Sequence, residues 1–78
     1  MTRKITHIDS VRLASGIQSI LLDMKKTGIK EPRFPVARFE EMIQEQHLVS
    51  KAEAERVTEK VINTGILRWE LFANNFIL

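Results

Sequence analysis

SKAEAERVTEKVINTGILRWELFANNFIL, residues 50–78, is the stretch whose reading decides the fold. It opens on S-x-x-E, Ser50 and Glu53, the spacing of a capping box in which each side chain satisfies a free amide near the other's backbone. Ala54, Val57, Val61 and Ile62 then recur at helical spacing and face inward, leaving Lys51, Glu55, Arg56, Glu59, Lys60 and Asn63 to water. Thr64-Gly65 supplies a stop. From Ile66 to Phe72 the period changes to two, with Leu67, Trp69 and Leu71 alternating against Arg68 and Glu70. Ala73-Asn74-Asn75 is turn chemistry, because asparagine tolerates positive φ, and Phe76-Ile77-Leu78 returns as a second strand. The stretch therefore predicts a helix over 50–63 running into a hairpin over 66–78.

An isolated hairpin is barely stable in water, so this one must pack on helices. Ile66 and Phe72 fall on the face opposite Trp69, which leaves both faces apolar. One small domain does not easily cover both, so an edge or a face of the hairpin is expected to meet another chain. Ending on three apolar residues points the same way, or to a longer native chain.

Upstream, two more helices are expected. Thr6 is read as an N-cap with Asp9 three positions on, and Ile8, Val11, Ala14, Ile17, Leu21 and Met24 recur at three- and four-residue spacing. Leu13, Ile20 and Leu22 widen that stripe, and Arg12, Gln18, Ser19, Asp23 and Lys26 point outward. This predicts a helix over about 7–27, with Gly28 in the left-handed position after its end. Gly16 marks either a tolerated weak point or a close crossing by another helix. Ile29 to Phe34 reads as a connector, since a proline pushes the residue before it extended. Pro35 opens a second helix over 35–46 with Val36, Phe39, Met42 and Ile43 buried. The expected fold class is mainly α with a C-terminal β-hairpin (α+β), a single domain over 1–78.

Composition narrows the function classes. The 78 residues hold one core and no cysteine, so disulfides and thiolate metal sites are excluded. Only His7 and His47 offer imidazole, without companion ligands, and neither a metal nor a cofactor is expected. The three glycines are isolated, so no phosphate loop forms, and no serine or threonine sits in a nucleophile motif. The carboxylates of the second helix have no evident partner and read as a solvated face. An enzyme is not expected. There is no internal repeat, no signal-peptide core and no apolar run of the ~18–20 residues a membrane span needs, so the expected setting is cytoplasmic, without a membrane partner.

The formal net charge is +2, and it is sorted along the chain. Residues 24–38 carry Lys25, Lys26, Lys30, Arg33 and Arg38 against Glu31. Residues 39–59 carry Glu40, Glu41, Glu45, Glu53, Glu55 and Glu59 against Lys51 and Arg56. The basic segment is either a phosphate-contacting patch or a solvated connector with favourable helix-end charge.

The order helix, helix, turn, helix, hairpin resembles the winged helix-turn-helix superfamily over about residues 8–78, most closely in LVSKAEAERVTEKVINTGILRWELFANNFIL. Val49, Ser50, Ala54 and Val57 match its turn, cap and inward positions. The resemblance implies a recognition helix over 50–63 and a wing over 66–78. His47 and Leu48 depart from it, standing where the turn often has glycine, and so do the glutamates on the third helix.

Two expectations follow. One is a small DNA-binding transcriptional regulator, dimeric, with Lys51, Arg56 and Lys60 reaching double-stranded DNA from one flank and Lys25, Lys26, Lys30 and Arg33 at phosphates. The alternative is a non-catalytic protein–protein interaction module, an adaptor or small inhibitor, using Trp69, Leu71, Phe72 and Phe76. Winged helices serve both roles, and fold does not choose between them. The position of Trp69 and Phe72 does: burial against the chain's own helices favours the first, and exposure or a subunit interface the second.

Overall fold

The computed structural model describes residues 8–78. Its elements run α1 (Ser10–Lys26), β1 (Arg33–Pro35), α2 (Val36–His47), α3 (Lys51–Asn63), β2 (Arg68–Glu70) and β3 (Asn75–Ile77). The three helices and a three-stranded antiparallel sheet of order β1-β3-β2 form a mainly helical α+β domain with a winged-helix-like layout. No described helix is long and apolar enough to cross a membrane.

α1 starts later than its apolar spacing predicts. Asp9 is the N-cap, its Oδ1 accepting from the Val11 and Arg12 amides at 3.1 and 3.2 Å. The Thr6 cap and His7 lie outside the described residues. At the other end Ile29 N–H donates to the Met24 carbonyl and Gly28 N–H to that of Lys25, a Schellman pattern closed by Gly28 at φ 108°. Lys25 and Lys26 sit in the last turn, where the helix dipole favours cations.

Only Ala14, Ile17 and Leu21 of α1 are fully buried. Val11, Ile20 and Leu22, expected in the stripe, are exposed, because α3 and β1 pack on the side of α1 that carries Ala14, Ile17 and Leu21 and the apolar stripe is wider than that side. Gln18, expected in water, is half-buried and its Nε2 donates to the Ile66 carbonyl at 3.3 Å, fixing the entry to the hairpin. Gly16 has open space where a Cβ would stand, so no described helix crosses there.

α2 begins one residue after Pro35, which is its N-cap and the last residue of β1. Its Val36, Phe39 and Ile43 meet Ala54, Val57 and Val61 of α3 in the core. Thr58, the one buried polar side chain among the described residues, gives its hydroxyl to the Ala54 carbonyl at 2.8 Å. α3 stops at Thr64 and Gly65, whose φ is 74°.

The sheet departs most from expectation. Arg33-Phe34-Pro35, read as connector, is a strand that pairs with β3 in the register Arg33↔Ile77, Phe34↔Phe76, Pro35↔Asn75. β2 pairs on the other side, Arg68↔Ile77, Trp69↔Phe76, Glu70↔Asn75. The hairpin loop is therefore Leu71–Asn74, not 73–75, and Leu71 and Phe72 belong to the loop. Phe34, Phe76 and Trp69 lie in one cross-strand row facing the helices, and Phe76 meets Phe39 edge to face at 5.3 Å.

Candidate interaction surface

Among the described residues, the wing carries the two exposed aromatic side chains, Trp69 and Phe72. Its loop holds Leu71, 69% exposed, and Phe72, fully exposed, and Trp69 beside them is 40% exposed. Phe76, expected with them on the partner-binding surface, is not available: it is completely buried, because the register puts it opposite Trp69 on the core face. Exposed aromatic and aliphatic groups side by side at a loop tip lose hydration favourably when another surface covers them, at roughly 25 cal/mol per Å² of apolar area.

Asn74 holds this surface in shape. Its φ of 56° turns the chain, and its carbonyl accepts from the Val36 amide at 3.0 Å, tying the loop to the start of α2. Its Oδ1 accepts from Trp69 Nε1 at 3.0 Å, fixing the indole. Sequence reasoning gave Asn74 only a turn role. The signal for more was its place five residues after a tryptophan in a hairpin.

The outer face of the sheet is polar. Glu70 Oε1 accepts from Arg33 Nε at 3.2 Å and from Asn75 Nδ2 at 3.3 Å, while Arg33 Nη2 pairs with Glu31 at 3.3 Å. Arg33 thus stands between two carboxylates. Such exposed pairs are worth about 0–1 kcal/mol, but they take up the charge a phosphate would need. A shallow groove of about 220 Å³ gathers Lys25, Lys30 and Arg33 against Glu31 and Glu70. Lys26 is exposed and does not line it.

On α3 the expected DNA-facing residues do not form one flank. Lys51 and Lys60 are nine residues apart, two and a half turns, so they leave opposite sides of the helix. Arg56 pairs with Glu53 at 3.0 Å. Glu53 therefore answers only half of the capping box: its amide donates to Ser50 Oγ at 3.2 Å, and its carboxylate turns to Arg56. With Glu55 and Glu59 also exposed, the solvent face of α3 is electrically balanced.

Comparison of the chain with protein-family models, with characterised proteins and with solved structures gives no match.

Proposed function

We propose that this chain is a non-catalytic protein-interaction module of winged-helix type, with the wing as its contact surface. The observation that carries the reading is the full exposure of Phe72 beside Leu71 and Trp69, on a loop held in place by Asn74. The balanced charge of α3 supports it. A helix entering the groove of a polyanion gains mainly by phosphate neutralisation, and this face has none to spare. Binding hot spots favour aromatic anchors such as Trp69.

The test compares the wild type with the double variant L71S/F72S in affinity capture from source-cell extract. The expected result is a partner retained by the wild type and lost from the variant, with unchanged melting. Equal capture by both chains overturns the wing as contact surface.

A second reading, a duplex-DNA binder, is favoured by Lys25, Lys26 and Lys30, which are exposed and in no ion pair among the described residues. There these lysines would hold phosphates, Arg33 would be released from its carboxylates, and Lys51, Arg56 and Lys60 would lie toward the groove. That reading requires binding of a random duplex that collapses between about 50 and 200 mM salt. It also requires a salt slope that falls by about three when the three lysines become alanine. The interaction-module reading expects neither.

A further inference from the structure

The two edges of the sheet are unlike. β1 is blunted by Pro35 within it and Pro32 just before it, and α2 follows directly. β2 has no proline, and no described element pairs with its free side; its guards are its three-residue length and the charges of Arg68 and Glu70.

The backbone orientation of β2 follows from the ladder. Hydrogen-bonded and non-hydrogen-bonded pairs alternate in an antiparallel sheet. The Val36 amide donates to the Asn74 carbonyl at 3.0 Å, so the pair Pro35↔Asn75 between them is non-hydrogen-bonded. Phe76 then directs its amide and carbonyl toward β1, and Asn75 and Ile77 direct theirs toward Glu70 and Arg68. Trp69, between those two, turns its N–H and C=O to the open edge.

We infer that the occupant of this edge is a second copy of the chain, joined β2 to β2 in antiparallel register about Trp69. This names the partner of the wing and rests on the interaction-module reading. Arg68-Trp69-Glu70 is complementary to itself. With Trp69 opposite Trp69 of the second copy, two backbone hydrogen bonds form, and each Arg68 faces a Glu70 in a non-hydrogen-bonded pair, where side chains approach most closely. Arg68 is exposed and has no ion-pair partner among the described residues; Glu70 spends Oε1 on Arg33 and Asn75 of its own chain, and its Oε2, in no bond among those residues, is the atom left for Arg68 of the second copy. Two-fold pairing about Trp69 also sets the Leu71–Asn74 loop of each copy beside the residues that lead into β2 of the other, where Ile66 is half-buried. A three-residue strand gives few backbone bonds, so the two Arg68–Glu70 pairs and the cover of the loop decide together whether the copies associate. Association on a two-fold axis uses the same patch twice and closes at a dimer.

The test is sedimentation equilibrium of the full chain from micromolar to millimolar concentration, with circular dichroism to show that each variant folds. The wild type dimerises; R68E alone and E70R alone are monomeric, since each places two like charges face to face twice. An equimolar mixture of R68E and E70R dimerises again, because both cross-strand pairs then have opposite signs. A wild type that stays monomeric, single variants that dimerise like it, or a mixture that stays monomeric each overturns the pairing. In any of these cases the wing as a contact for other proteins is judged separately, by the L71S/F72S comparison.

Discussion

Leu48 closes α2 at φ 52° with its side chain 89% exposed, so a γ-branched residue occupies backbone space that favours glycine and gains no burial for it. The left-handed conformation costs an L-residue about 1–2 kcal/mol, and glycine returns part of that gain through the entropy of its unfolded chain. Leu48→Gly should raise stability by about 0.5–1 kcal/mol, read as a higher urea midpoint at unchanged slope. A lower midpoint would mean that Leu48 makes a stabilising contact that the fold does not show. Phe76 is the opposite case. It is wholly buried and edge-on to Phe39, and Phe76→Ala should cost about 3–5 kcal/mol. A core of this size supplies about the same in total, so the variant should lack a cooperative thermal transition. A melt close to wild type would place Phe76 outside the core.

The wing depends on a turn that aims its side chains. Asn74 accepts two tertiary bonds at once, from the Trp69 indole through Oδ1 and from the Val36 amide through its carbonyl. Asn74→Ala keeps the carbonyl but loses the indole bond and puts a Cβ-bearing residue without Asn's local hydrogen bonding at φ 56°. The expected cost is about 1–2 kcal/mol, with a red shift of Trp69 fluorescence as the indole loosens; unchanged emission would show that Asn74 does not hold it. The helices were legible because their signals are local: the Ser50 cap, the run Val36, Phe39, Ile43, and Gly28 and Gly65 at helix ends. β1 was not, since three residues that follow one proline and end on another carry no period and become a strand only through β3, some forty positions away. The loop was expected to start two residues late and end one residue late, because Asn74 and Asn75 both read as turn while Asn75 pairs with Glu70. That shift moved Leu71 and Phe72 out of the strand, and the register then assigned Phe76 to the core and left Trp69 at its rim. Hairpin faces follow register, and register is set by contacts that no local pattern encodes. The basic residues were legible as a cluster, but not the two carboxylates that hold Arg33.

At the scale of the whole molecule, the size of the core sets the terms. Among the described residues, eleven buried apolar side chains form a single cluster, and a domain this small is marginal by itself. Covering Trp69, Leu71 and Phe72 with a second copy would therefore couple association to folding, and the folded state would gain by mass action. For a dimer that dissociates as it unfolds, each tenfold rise in concentration above the dissociation constant adds about 1.4 kcal/mol per dimer, or about 0.7 kcal/mol per chain. A domain of this length shifts its melting temperature by about 4–8 °C per kcal/mol, so the wild type should gain about 3–6 °C per decade. R68E, which opposes self-pairing without touching the core, should melt at one temperature at every concentration. Calorimetry of both chains over two decades reads the difference directly. A wild-type Tm as flat as that of R68E would mean that the wing adds nothing to folding, and that these eleven side chains hold the domain together unaided.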